Sequence, residues 1–333
     1  MKLLWKNPVR IAATLACAAT LTAADVSVPK NLIGDWAIDQ PNNEPGWLSV
    51  KLTDGKPDIR IMWAIGGTRP ITEFQVDGRE LTFDLRKQRA KKNGTVAPTQ
   101  SVSVRILDGA LYGVHRKVEK GQRSEASFTG KRLPAMPPKP DLSRVKFGKP
   151  IQLFNGRDLT GWKKRRAHKL MGWSVKDGLL VNDTPKIDFS NKGAYANLMT
   201  EREFYDFKLH IEFNIGAQRN SGVYLRGMYE AQVVDRDSRM QGLQGVGAIF
   251  SRIAPSKNVG KPGGEWNTYD LTLVDRHVTV ILNGEKVIDN QPVKGPTGGA
   301  HQTDVSSPGP IYLQGDHTSV KYRNIVLTPV IKP

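Results

Sequence analysis

Short runs in which apolar and polar residues alternate, separated by Gly-containing turns, fill most of the chain. Alternation with a period of two puts one face of a strand on a core and the other in solvent, so the pattern predicts an all-β protein. Between residues 30 and 133 such runs fall at 47–52, 59–65, 71–76, 81–85, 101–107, 111–117 and 126–131. Asp54-Gly55, Asp77-Gly78 and Asp108-Gly109 lie between successive runs and predict tight hairpins. This is a small antiparallel meander, closed into a barrel or left as a curved sheet. Trp47 and Trp63 could stack on a sugar, but the surrounding pattern reads them as core.

Five prolines follow in 133–150, namely Pro134, Pro137, Pro138, Pro140 and Pro150. They predict a semi-rigid linker over 134–149. A second β-rich segment covers 150–330. Its strand-like pieces include the 173–181 hairpin on Asp177-Gly178, then 206–215, 245–250, 268–274, 278–282, 285–289, 309–314 and 320–327. In 206–215, Phe207, Leu209, Ile211 and Phe213 alternate with Lys208, His210, Glu212 and Asn214. Asn283-Gly284 marks a further hairpin, and Asn220 reads as a turn former. About a dozen strands with no helical periodicity predict a two-sheet sandwich or jelly roll.

The stretch 220–235, NSGVYLRGMYEAQVVD, is the unusual one. It reads as strands at 222–226 and 229–235 with Gly227 as the bend. Alternation puts Tyr224 and Arg226 on one face of the first strand, and Glu230 and Gln232 on one face of the second. A phenol, a guanidinium, an acid and an amide are costly to bury unpaired, at about 1–3 kcal/mol each. That face is therefore either plain surface, with Arg226 and Glu230 as an exposed ion pair of little consequence, or the floor of a polar cleft.

Composition adds compartment and charge. Residues 1–24 carry Lys2, Lys6 and Arg10, an apolar stretch too short to span a bilayer, and small residues ending at Ala23-Ala24. This predicts an export signal cleaved near Ala24 and a periplasmic or secreted product. Cys17, the sole cysteine, sits in a poor lipobox, so lipidation is the lesser expectation and disulfide or thiol chemistry is not expected in the mature chain. No other stretch reads as a membrane span. The formal net charge of +17 has two dense clusters, Arg86 to Lys92 and Lys163 to Lys169. Neither interleaves aromatics for base stacking, so nucleic acid is not an expected partner and the clusters read as solvated loops.

The opening Leu32-Ile33-Gly34-Asp35-Trp36 is loosely similar to the start of lipocalin-like barrels. A stronger resemblance covers about 150–329. Nine blocks in order, FNGRDLTGWK, W-x-V-x-D-G-L-L, LMTEREFYDFKLHIEF, NSGVYLRG, YEAQVVD, GAIF, PGGEWNTYDLTL, NGEKV and IYLQGDHTSVKYRNI, resemble the 3-keto-disaccharide hydrolase family. The resemblance implies a concanavalin A-like jelly-roll sandwich whose concave face holds sugar. It also implies action on 3-keto glycosides or disaccharides made by an upstream sugar oxidoreductase.

A 3-keto group acidifies the C2 hydrogen, so a base can form an enolate that expels the group at C1, and water then adds back. Such a site needs a base, an enolate stabiliser and an acid for the leaving oxygen. The catalytic candidates are Glu230 as base, Arg226 on the enolate, His317 as acid or base, and Asp235 at a strand end. Gln232, Tyr224, Gln314, Glu265 and Trp266 are candidates for holding the substrate. The sequence requires no cofactor. A divalent metal would find ligands in Glu230 or His317, or in His210 and Glu212. Bland readings compete: His317 as a satisfied turn residue, Asp235 as a turn cap, Trp162, Trp173 and Trp266 as core. From another class, a non-catalytic lectin-like protein, or a basic envelope scaffold for anionic polymers, would have the same fold.

Overall fold

The computed structural model describes residues 27–40, 44–86, 99–185 and 194–331. The expected export signal and most of the first basic cluster lie outside these residues. Among the described residues the only helical turns are two 3-10 segments, Lys30–Leu32 and Gly242–Gln244. The rest of the regular structure is antiparallel strand, and the protein is all-β as its periodicity predicts.

The N-terminal part forms one sheet from β1 (Gly34–Asp39), β2 (Pro45–Thr53), β3 (Lys56–Trp63), β4 (Arg69–Ile71), β5 (Phe74–Asp77), β6 (Glu80–Arg86), β7 (Thr99–Leu107), β8 (Ala110–Glu119) and β9 (Gln122–Arg132). Its order is β4-β3-β2-β1-β9-β8-β7-β6-β5. Except for β4 and β5, each strand pairs with its neighbour in sequence, and β1 also pairs with β9. The meander thus curls back on itself and has one seam, between β4 and β5. The run expected as one strand at 71–76 is split there, because Ile71 pairs on β3 while Phe74 pairs on β6. Trp36, Leu48, Ile61, Leu81, Phe83, Val102 and Leu111 fill its interior.

The remaining strands are β10 (Ile151–Gln152), β11 (Trp162–Lys164), β12 (Trp173–Lys176), β13 (Leu179–Asn182), β14 (Leu198–Phe204), β15 (Phe207–Ile215), β16 (Asn220–Leu225), β17 (Tyr229–Val234), β18 (Trp266–Val274), β19 (His277–Leu282), β20 (Glu285–Pro292), β21 (Gly309–Leu313) and β22 (Val320–Pro329). They form a jelly-roll-like sandwich. One sheet runs β12-β13-β22-β15-β18-β19-β20 with β10 on β22, and the other runs β11-β14-β21-β16-β17. Phe207, Leu209, Ile211, Phe213 and Ile215 of β15 face Val223, Leu225, Ala231, Val233 and Leu313 across the core. Asp54-Gly55, Asp108-Gly109, Asp177-Gly178 and Asn283-Gly284 all have positive φ at both residues, the backbone of the turn that matches strand twist.

The 245–250 piece is not a strand. It is a string of turns with Gly247 at φ +87°, and it runs along the free edge of β17, where Gln232 N donates to Ala248 O at 3.0 Å. The proline-rich stretch lies along the sandwich: Pro134 O accepts from Arg276 Nη1 at 3.0 Å, and Pro140 O from Asn290 Nδ2 at 2.8 Å. Ala37, Trp47, Met62 and Leu133 join the sandwich's own apolar cluster, so the N-terminal sheet is packed onto the sandwich through shared core. Trp47 is core as expected, covered by Arg252 at 4.0 Å from its ring.

Candidate active site

β16 and β17 differ from ordinary sandwich strands in that both of their faces are covered. One face is the core. Over the other lies a cleft of about 790 Å³, whose lining includes Tyr224, Glu230, Gln232, Tyr312, Gln314, Asp316 and His317. The polar face at 220–235 is therefore a cleft floor.

Register explains the floor. Tyr224 pairs directly with Glu230, and Gly222 with Gln232, so all four share one face. Gly222 has no side chain, and the Glu230 carboxyl lies in the space it leaves. The Tyr224 ring stacks on Tyr312 of β21 with centroids 4.2 Å apart and planes at 14°. Asn197 Nδ2 donates to the Tyr312 hydroxyl at 2.7 Å, while Asn197 Oδ1 accepts from Gly315 N at 2.8 Å and Asp316 N at 3.1 Å. That amide fixes the Gly315-Asp316-His317 turn at the cleft. Asp316 Oδ1 then lies 2.6 Å from His317 Nδ1, an arrangement that keeps the Nδ1 proton on the carboxylate side and leaves Nε2 for exchange.

Glu230 is 3% exposed. Burial pushes its carboxyl up to about 8; contact with the Tyr224 phenol works against that rise and the Asp316 charge adds to it. The Tyr224 hydroxyl donates its one proton to Gly298 O at 2.8 Å, and burial raises its own pKa well above the usual value. Three side-chain amide oxygens at the cleft, Asn220 Oδ1, Gln232 Oε1 and Gln314 Oε1, are buried with no hydrogen-bond partner in the protein. Buried acceptors without donors are rare in folded proteins. Hydroxyl-rich ligands supply such donors.

Five of the nine sequence candidates are therefore at the cleft: Glu230, His317, Gln232, Tyr224 and Gln314. The other four lie away from it. Arg226 follows β16 with φ +54°, which breaks the alternation that placed it beside Tyr224. Its side chain is fully buried elsewhere, 4.2 Å over the Tyr205 ring, and donates to Val305 O and Ser307 O. Asp235 caps a turn, accepting from Gln218 N at 2.7 Å and Asp237 N at 3.1 Å. Glu265 is exposed outside the cleft. Trp266 lies on the outer face of β18 with Arg323 at 4.1 Å from its ring. On that same remote face His210 Nδ1 meets Asp270 Oδ1 at 2.7 Å and Glu212 is bound by Arg323, so this pair does not join the cleft. Among the described residues no group of three His, Cys, Asp or Glu side chains is placed to hold a metal ion.

Sequence reasoning missed Asn197, Tyr312 and Asp316. Tyr312 was legible, because alternation through 309–314 puts it on the face of Gln314. It also missed the use of the second basic cluster: Arg165, Arg166 and Lys169 line the cleft. Glu44, from the N-terminal sheet, pairs with both arginines, at 3.7 Å from Arg165 and closer to Arg166. Nothing local in either segment signals that long-range pairing.

A two-sheet β-sandwich with a buried high-pKa carboxyl, a carboxylate-held histidine and unpaired amide acceptors on one sheet face has the features of a carbohydrate-active protein. Residues 149–328, more than half of the chain, match the model of the 3-keto-alpha-glucoside-1,2-lyase-like domain, and the chain belongs to that family. No curated protein matches the chain. Similar solved structures include two from Parabacteroides distasonis ATCC 8503, each described as a "putative glycosyl hydrolase". The first is 23% identical, with 55% of this chain and 94% of that chain covered and a TM-score of 0.45. The second is 28% identical, with 57% and 92% covered and a TM-score of 0.41. A carbohydrate binding module of Bacillus subtilis is 12% identical, with 50% and 94% covered and a TM-score of 0.33. Among the described residues no helix is long and apolar enough to cross a membrane.

Proposed function

We propose that this protein is an exported enzyme that cleaves 3-keto glycosides or disaccharides by removing the C2 proton and expelling the group at C1. The observation that carries the reading is Glu230: a buried carboxyl, raised to about 8, on the floor of a sugar-sized cleft. Such a carboxylate is a stronger base than an exposed one, and about a tenth of it is ionised at pH 7. Family membership supports the substrate, because elimination across C1 and C2 needs the carbonyl at C3.

The steps balance as follows. Glu230 takes the C2 hydrogen as a proton, and the C–H electron pair moves into a C2=C3 enolate with its charge on O3. The enolate collapses back to the C3 ketone, the electrons form C1=C2, and the C1–O bond breaks. His317, oriented by Asp316, protonates the departing oxygen. Water added across C1=C2 completes a net hydrolysis; without it the enzyme is a lyase. Arg165, whose side chain is 10% exposed and lines the cleft, is assigned to the enolate in place of Arg226. Gln314 and Asn220, whose side-chain amides line the cleft, hold hydroxyls. An oxidoreductase acting on sugars must supply the 3-keto substrate.

The test is incubation of the purified protein with 3-keto-trehalose or a 3-keto-glucoside in deuterated water, following aglycone release and solvent exchange at C2. Release with C2 exchange is expected. Binding of the sugar without either would instead assign a non-catalytic carbohydrate-binding role.

A further inference from the structure

The family match begins at residue 149, yet the cleft does not close without the N-terminal sheet. Its loop at 64–67, just after β3, reaches into the cleft wall. Ala64 has φ +61° and Gly66 φ +94°, a pair of left-handed residues that turns the chain sharply around Ile65. Strain of this kind in a non-glycine residue persists only where surrounding contacts hold it. Here Gly299 N donates to Ala64 O at 3.1 Å, and Thr68 N donates to Ser251 Oγ at 2.7 Å. The Gly66 backbone lies so close to Gly298 that a Cβ there would sit 2.8 Å from Gly66 N. Gly298 O is the acceptor of the Tyr224 hydroxyl, and Tyr224 is the cross-strand partner of Glu230. The loop is thus linked to the proposed base through two residues, Gly298 and Tyr224.

What it presents there is apolar. Ile65 is 55% exposed, an isoleucine held out into the cleft rather than into a core. Phe250, next to the Ser251 that anchors the loop, and Met240, against Gln232 Nε2, line the same wall. The polar groups Gln314, Asn220 and Asp316 gather around the turn after β21, where Asn220 N donates to Thr318 Oγ1 at 2.9 Å and Asn197 holds the turn. A glycoside has the same polarity: a ring crowded with hydroxyls, and at C1 a group that can carry few.

We infer that the N-terminal sheet supplies the leaving-group subsite, with Ile65 as its specificity-determining residue, and that the preferred substrates carry an apolar or aromatic aglycone. This rests on the reading of Glu230 as the base. Packing a ring on one aliphatic side chain corresponds to about 5- to 20-fold in affinity.

Two measurements test it, on the full chain. In the first, kcat/KM is compared for phenyl and methyl 3-keto-α-glucosides with the native protein, Ile65→Ser and Ile65→Leu. The native protein should prefer the phenyl substrate; Ile65→Ser should lose about 5- to 20-fold on it and under twofold on the methyl one; Ile65→Leu should keep the preference. Equal losses on both substrates, or none, overturn the inference. In the second, calorimetry compares binding of the unoxidised phenyl and methyl α-glucosides. This arm does not need turnover: if neither 3-keto substrate is cleaved, the proposed reaction fails, and the subsite stands only if phenyl binds better and Ile65→Ser removes the difference. No phenyl preference in the native protein by either measurement overturns it.

Discussion

Gly222 and Glu230 share one volume above the five-stranded sheet: the Glu230 side chain lies across the Gly222 backbone, and a Cβ there would sit 2.8 Å from Glu230 Cγ and 2.9 Å from its Cδ. The glycine is needed for the room it leaves, since it is absent from the positive-φ positions. Gly222→Ala is expected to push the carboxyl off the cleft floor. Misplacing a reacting group by about 1 Å costs on the order of 100-fold, whereas the overpacking costs about 1–3 kcal/mol of stability. Rate measurements beside a thermal melt check this. A variant with native rates would show that the carboxyl's position is unimportant.

Glu230→Gln should separate activity from stability. Turnover is expected to fall by on the order of 10²–10⁴-fold. Stability should move the other way. The folded carboxyl titrates near 8 against 4.5 for the free group, so between those values the unfolded chain has released a proton that the folded chain keeps. Native stability therefore declines as pH rises from about 4.5 to 8 and levels off above. The amide removes that decline, so the variant should be roughly 2–5 kcal/mol more stable than the native protein at pH 8 and close to it at pH 4. Denaturant titrations at the two pH values decide; equal stability at both would mean that Glu230 ionises normally.

Solvent exchange at C2 needs the base and not the acid, so the pH dependence of exchange reports Glu230. It should rise about tenfold per pH unit below 8 and flatten above, as Glu230 ionises. Asp316→Asn removes a charge that holds the Glu230 carboxyl up, so the rising limb should move to lower pH. The same change leaves His317 without its carboxylate, so aglycone release should fall relative to exchange. A flat native profile from pH 6 to 9 would exclude Glu230 as the base.

Arg226 is expected to matter for folding rather than turnover. Its guanidinium ties the 305–307 segment to the end of β16. Hydrogen bonds to a charged group contribute about 1.5–3 kcal/mol each. Arg226→Met should lower the melting temperature by many degrees, and the folded fraction should retain kcat/KM within about threefold. A stable variant with abolished turnover would return Arg226 to the chemistry.

The sequence determined what depends on neighbours along the chain. Period-two alternation located the strands, Asp-Gly and Asn-Gly pairs located the hairpins, and Tyr224, Glu230 and Gln232 fell together on one polar side. Those relationships are local, because strand pleat and turn type are fixed within a few residues. Arg226 shows where locality ends. One left-handed residue at the bend turned its side chain away from Tyr224, and alternation has no means of registering that. Glu265 and Trp266 went the same way, since which sheet face is concave depends on what packs above it. Only the tertiary structure placed Asn197 behind Tyr312, Glu44 on Arg165 and Arg166, and Ile65 at the cleft. It also set the pKa of Glu230, because desolvation is a property of everything that surrounds a carboxyl and not of its position in the chain.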